Sequence, residues 1–327
     1  MSIKNFVNSL EIGPAWNHLN LTVYPLIGTA NGKPAYLTLD EALTTGRFRV
    51  GEISMSGSVP ELKVFNGLSQ SVLLLDGEEL IGAKQNRVLN LTIMVPADTE
   101  MTIPVSCVEA GRWQHVSDSF VAADRTQFAR GRAKKLSQVS HSLRESSTRS
   151  SDQTDIWNEI TAKSIRMSVA SPTAAMSAIY ERSQARLNDF IRAMPRRDRQ
   201  VGAVFSIGSQ VAGIDAFDSA DTFTKAAPKL IRSYAVDAME SPATVVSKGL
   251  ASDAVRAFLD DVAVASTTRF KALGLGDDLR LSGLSLAGAA LEISRQIVHL
   301  VSFPGTVYED QPQNTRMARA RMRRTFH

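Results

Sequence analysis

The stretch "DGEELIGAKQNRVLN", residues 76–90, constrains this chain more than any other. It sets three acids, a lysine, an arginine, a glutamine and two asparagines between the apolar runs "VLLL" and "LTIMV". Runs this apolar belong in a sheet interior. The polar side chains between them must be satisfied internally or meet something at a sheet edge. Asp76-Gly77, directly after "SVLLL", predicts a tight hairpin turn, because glycine tolerates the positive φ that a type I′ turn requires. Glu78 to Ile81 is then the return strand.

A second hairpin follows. Pairing Val95 with Met101 across "PADTE" sets Ile93 against Ile103, Leu91 against Val105, Leu89 against Cys107 and Arg87 against Glu109. One face is apolar along its length and ends in an opposite-charge pair. A one-residue slip would turn every side chain to the other face. This register gathers Lys84, Gln85, Asn86 and Arg87 with Glu109, Gly111, Arg112 and Trp113 at one edge, and Glu78 and Glu79 arrive from the preceding hairpin.

The expected class is α+β. Residues 20–110 read as β-rich, in short runs such as "LTVYPLIG" and "LKVFN", with one helix-like turn near Asp40. Residues 118–195 read as mainly helical. Leu136, Val139 and Leu143 share a face there, and Ser171-Pro172 supplies a helix start for the amphipathic run from Ala175 to Met194. A second β layer comes from "GAVFSIGSQVAGIDAF" (202–217) and "GAALEISRQIVHLVSF" (288–303), which align without gaps at an offset of 86. Both predict hairpins, turning at "GSQ" and "SRQ". Helices are expected between them at 219–239, bent at Pro228, and near 252–264. The expectation is one unit over 1–304 and a basic tail over 305–327.

Charge is uneven. The net +4 divides into +6 for residues 125–149, +3 for the tail and −5 for everything else. A basic segment and a basic tail on a mildly acidic body admit nucleic acid as a partner. A single cysteine excludes an internal disulfide and suits a reducing compartment. The N-terminal "MSIKNFVNSL" has no apolar core of a signal peptide, and the apolar stretches are too short to span a bilayer. The location expected is cytoplasmic, without a membrane partner; oligomerisation stays open.

"GSVPELKVFN", "LLLDGEELIGAKQNRVLN" and "IPVSCVEAGRW" together resemble the ADP-ribosylglycohydrolase- and rhodanese-phosphatase-associated protein domain. "GAVFSIGSQVAGIDAFDS", "IRSYAVDAM" and "IVHLVSF" fit it too. The similarity runs from Ile12 to Phe303 and is densest from Ser58 to Trp113. Ala110 departs from it, at a position where a longer polar residue is expected. The resemblance implies a domain named for neighbours that include enzymes of ADP-ribose metabolism, and it fixes no reaction.

The gathered edge has a definite chemistry. Arginine and lysine suit phosphate, amides read ribose or base edges, and tryptophan offers a stacking face. Lys84, Gln85, Asn86, Arg87, Glu109, Arg112 and Trp113 are therefore the candidate ligand-binding set. The expected ligand is a nucleotide or ADP-ribose-type phosphorylated metabolite, with binding expected and turnover left open. Two alternatives remain: nucleic-acid binding through 125–149 and 316–324, or a scaffold whose motif is structural. Glu78, Glu79, Glu109 and Cys107 are the candidate catalytic groups. Glu78 and Glu79, adjacent in a strand, point to opposite faces, so at most one enters a given pocket. Cys107, with His115 as its base, shares a face with Met101, Ile103 and Val105, where a thiol is usually inert. Asp215 and Asp218 read as helix-capping acids and His299 as a satisfied core histidine. No metal spacing, Walker loop or dinucleotide fingerprint is present, so no metal or cofactor is expected.

Overall fold

The structure, a computed structural model, describes residues 2–29, 32–54, 57–195, 197–240 and 250–305. The first part of the chain forms α1 (Ile3–Asn8), β1 (Glu11–Ile12), β2 (Trp16–His18), β3 (Leu21–Ile27), β4 (Tyr36–Thr38), α2 (Leu39–Thr44), β5 (Phe48–Gly51) and β6 (Glu61–Asn66). There follow β7 (Ser71–Leu74), β8 (Glu78–Gly82), β9 (Arg87–Leu89), β10 (Ile93–Val95), β11 (Thr99–Cys107) and β12 (Phe120–Thr126). The helical middle is α3 (Ala129–Ser146), α4 (Gln153–Arg166) and α5 (Ser177–Ala193). The last part holds β13 (Gln200–Ile207), β14 (Gln210–Phe217), α6 (Ala220–Glu240), α7 (Ser252–Val264), β15 (Ser266–Lys271), β16 (Asp277–Ser282), β17 (Leu286–Ile293) and β18 (Gln296–Pro304).

The class is α+β, as the patterning indicates. The two similar sequences fold as the hairpins β13–β14 and β17–β18, which close at Ile207–Gln210 and Ile293–Gln296. They share one sheet, because β14 pairs with β18 through Asp215–Val301 and Phe217–His299. That nine-stranded sheet runs β1-β3-β13-β14-β18-β17-β16-β15, with β2 also on β3. Val204, Ile214 and Leu300 share a core with Phe6 of α1 and Leu259 of α7. Phe205, Phe217 and Phe303 share another with Leu230 and Tyr234 of α6. Strands covered on both faces read as continuous apolar runs rather than alternating ones. Phe205 stacks on Tyr234 at 3.9 Å between ring centroids.

The N-terminal half builds a six-stranded sheet, β12-β8-β9-β11-β6-β5, and a three-stranded one, β10-β7-β4. Phe48, Val64, Leu80, Leu89, Ile103 and Phe120 pack in the core between them. The expected hairpin over 87–109 is corrected here. Val105 faces Leu89 and Cys107 faces Arg87, two residues from the expected register, so Arg87 and Glu109 are not cross-strand partners. A shift of two preserves parity, which keeps Leu89, Ile103 and Val105 in the core. The strand breaks at Asn90–Thr92, and β10 leaves to pair with β7. The polar groups at the break bond outside the ladder: Asn90 accepts from the Ser106 hydroxyl at 2.5 Å, and Thr92 Oγ1 accepts from the Asp76 amide at 3.1 Å.

Three further expectations change. Gly77 has the expected positive φ of +79°, in a turn closed by Glu78 N to Leu75 O at 3.2 Å. That turn passes the chain between sheets instead of joining a hairpin; β8 folds back on β9. Residues 120–126, placed in the helical region, are strand β12 on β8. Ser171-Pro172 does not start α5. Ser171 Oγ accepts from Ala175 N at 2.9 Å in an isolated turn, and the helix begins at Ser177. The basic tail lies outside the described residues after Gly305.

A Cβ on Gly77 would lie 2.9 Å from Arg132 Cγ. The left-handed backbone alone costs an L-residue about 1–2 kcal/mol. Gly77→Ala is expected to lower the unfolding free energy by at least that much in a urea titration. An unchanged midpoint would overturn both the backbone strain and the crowding by Arg132.

Candidate functional site

The acids of residues 76–79 line no mouth. Each reaches buried cations of its own from later in the chain. Asp76 lies 3.1 Å from Arg132 Nε and 3.1 Å from Lys135 Nζ. Glu78 takes Lys229 Nζ at 2.8 Å, and its other oxygen accepts from the Leu75 amide at 2.8 Å. Glu79 takes Arg125 Nε at 2.5 Å. Glu78 and Glu79 thus diverge, as strand alternation requires.

Arg132 joins this motif to the large sheet. Its guanidinium donates to both oxygens of Asp215, at 2.7 and 3.1 Å. Asp215 also accepts from Tyr234 Oη at 2.9 Å and lies 3.3 Å from His299 Nε2. His299 Nδ1 meets Thr92 Oγ1 at 2.8 Å. His299 is therefore the satisfied core histidine expected. Asp215 is not a helix cap: it sits fully buried in β14. Asp218 does not cap α6 either, since its carboxylate accepts from Tyr36 Oη at 2.5 Å, while Ser219 Oγ accepts from Asp221 N at 3.2 Å. Burial alone would raise the Asp215 carboxyl; the Arg132 charge and the bonds from Arg132 and His299 outweigh it and hold it below the usual aspartate value.

The basic segment 125–149 is largely the countercharge of this interior. Arg125, Arg132 and Lys135 are buried. Lys134 pairs with Asp155 at 2.7 Å and Arg130 with Glu159 at 3.4 Å. The three buried cations offer no surface to a polynucleotide, and residues 316–324 lie outside the described ones.

The second polar centre is the corner between the β8–β9 turn, Ala83–Asn86, and the bend at Glu109–Trp113. Glu109 accepts from the Asn86 amide at 3.2 Å, Arg112 Nε at 2.8 Å and Thr173 Oγ1 at 2.9 Å. Arg112 also donates to Ala83 O at 3.0 Å and Asn86 Oδ1 at 2.9 Å. Gln85 donates to Glu109 O at 3.1 Å and accepts from Arg87 Nη1 at 2.8 Å. Gly111 N donates to Thr173 O at 2.8 Å, an approach that a Cβ would close to 2.9 Å from Thr173 Cα. Gln85, Asn86, Glu109 and Arg112 thus form a lattice that holds two loops together.

Arg87 differs. It is fully buried, yet its Nε and Nη2 have no hydrogen-bond acceptor. Burial pushes its guanidinium below the usual arginine value, offset only in part by Cys107 and Glu52 and deepened by Arg112. The half-exposed Trp113 ring lies over it at 5.7 Å, with Lys84 Nζ 5.3 Å from the same ring. Cys107 is fully buried behind Arg87, and burial raises its thiol. His115 pairs instead with Asp118 at 3.1 Å, so no cysteine–histidine pair forms. The sequence reading missed Glu52, whose Oε1 accepts from Lys84 N at 3.3 Å, and Thr173. Both come from distant segments with no local signal. Among the described residues there is no cluster of potential metal ligands.

The fold and its two polar centres define an α+β protein with a buried ion-pair core and a basic corner beside it. The chain belongs to the ARG and Rhodanese-Phosphatase-superfamily-associated Protein domain family, ARPP-1, whose family model matches residues 9–303. No curated protein and no solved structure matches the chain. No described helix is long and apolar enough to cross a membrane.

Two outcomes test the ion-pair core. Arg132→Met strands the Asp215 charge and leaves Asp76 to Lys135 alone, and is expected to cost roughly 3–5 kcal/mol in urea unfolding. The folded value of Asp215 is depressed, so its stabilisation is complete above the unfolded aspartate value of about 3.9 and is lost as pH falls through the lower folded value. Stability measured from about pH 5 downward should therefore fall less steeply in Asp215→Asn than in the parent.

Proposed function

We propose that this protein binds an anionic, ring-bearing metabolite of the nucleotide or ADP-ribose type at the corner of Lys84, Arg87 and Trp113. The observation that carries the reading is the pair of unmet donors on Arg87. A buried cationic donor without an acceptor is costly, and a phosphate or carboxylate oxygen would supply two acceptors at once. Trp113 adds an aromatic face beside that charge. Because Trp113 covers Arg87, entry requires the indole to move, and the ring then becomes free to stack on the ligand. Gln85, Asn86, Glu109 and Arg112 support the site by fixing both loops. A purely structural role accounts for Asp76, Glu78, Glu79 and Glu109, but leaves Arg87 unexplained. No reaction is assigned: Glu78 and Glu79 are engaged by Lys229 and Arg125, and Cys107 is buried.

Calorimetric and tryptophan-fluorescence titrations with ADP-ribose, ADP and adenosine test this reading. The two phosphorylated probes should bind and change the emission, with adenosine much weaker. Arg87→Met should weaken them by about tenfold to a hundredfold, the worth of one or two charge-assisted hydrogen bonds. The same substitution removes unmet donors, so urea stability should hold or rise. Silence from all three probes, or equal binding by Arg87→Met, would overturn the reading.

A further inference from the structure

A cavity of about 540 Å³ opens away from the Arg87 corner, where α1, β4 and the start of α6 meet the β17–β18 turn. Its size is that of a small-molecule site. Phe6, Met94, Phe217 and Val298 give it apolar walls, while Tyr36 and Asp218 form a polar spot. The polar spot is directional. Thr222 Oγ1 lies 2.9 Å from Tyr36 Oη, and Tyr36 donates to Asp218 Oδ1 at 2.5 Å. The chain of hydroxyls ends on a carboxylate, which only accepts while ionised. Among the described residues Asp218 makes no ion pair, unlike Asp76, Glu78, Glu79 and Asp215. The adjacent Ser219 hydroxyl is already engaged, donating to Gly32 O at 3.2 Å and accepting from Asp221 N at 3.2 Å.

We propose that this cavity is a second binding site, for a small organic cation with an apolar body, whose ammonium hydrogen-bonds to Asp218. An uncompensated carboxylate on an apolar wall rewards a charged donor more than a neutral one, and repels anions. Tyr36 fixes the carboxylate, and the apolar walls take the ligand body. Burial raises the Asp218 carboxyl above the usual aspartate value and outweighs the hydrogen bond from Tyr36 and the nearby His299 ring. Lys33, exposed on the rim, would favour a carboxylate ligand instead, so matched probes decide between them. The site's preference is opposite in sign to that of the Arg87 corner, and neither reading depends on the other.

The test titrates 4-phenylbutylamine, 4-phenylbutanol and 4-phenylbutyrate into the full chain, followed by calorimetry and ligand-observed NMR at neutral pH. The amine should bind tightest, with the alcohol weaker and the carboxylate weakest. Asp218→Asn should weaken the amine by about tenfold or more and leave the alcohol nearly unchanged, with the melting temperature recording that the variant is folded. Tyr36→Phe, which frees the carboxylate without removing it, should bind the amine at least as tightly as the parent. Equal or tighter binding of the carboxylate, an unchanged amine affinity in folded Asp218→Asn, or no binding of any probe would overturn the proposal.

Discussion

The bidentate bond between Arg132 and Asp215 is the contact on which the two halves of this molecule turn. Arg132 is carried by α3, Asp215 by β14 of the large sheet, and the remaining guanidinium nitrogen reaches Asp76 at the tip of the N-terminal motif. Three segments distant in sequence are therefore registered by one planar group. Such a cluster contributes little net stability compared with a well-packed apolar alternative, because each ion must be desolvated. What it supplies is discrimination: an assembly that misplaces any of the three segments leaves a charge stranded in a dry interior. The neighbouring pairs Glu78–Lys229 and Glu79–Arg125 add α6 and β12 to the same rule.

This interior changes what the polar motif means. Residues 76–79 spend their charge internally, whereas residues 84–87 run through the β8–β9 turn beneath the half-exposed Trp113. The motif is one sequence but two devices, divided where β8 ends. The division explains how an arginine on the strand next to satisfied ion pairs is left with donors unmet. Glu52 offsets its charge only in part, and the other nearby carboxylates point elsewhere: Glu109 to Arg112 and Thr173, Glu79 to Arg125.

Much of this was legible in the sequence, and the failures have physical causes. The two C-terminal hairpins, α6 and α7 were readable because their apolar periodicities are long and their turns local. The convergence of Lys84–Arg87 with Glu109–Trp113 was readable because a register error of two leaves faces unchanged. The error itself arose at Asn90–Thr92, where side chains bond to Ser106, Asp76 and His299 across the fold. The partner that matters most to this break, His299, lies 207 residues away, outside any local window. Asp215 was misread for the same reason: beside a predicted helix start, an aspartate resembles a cap until Arg132 arrives from 83 residues away. The excess charge of 125–149 was visible, but its destination was not. A cluster of cations near a cluster of acids can be two surfaces or one interior, and net charge does not separate them.

Gln153, at the first turn of α4, has a consequence of a different kind. Its side-chain amide accepts from Cys107 N at 2.8 Å and donates to Cys107 O at 2.8 Å. Those two backbone groups lie where β6 has ended and β11 would otherwise present an open edge. A single amide thus imitates one residue of an adjoining strand. Open edges recruit other chains, and proteins commonly blunt them with charge, proline or a covering loop. Here the sheet is stopped by counterfeiting its own next rung, so the border of the β layer is written in a helix.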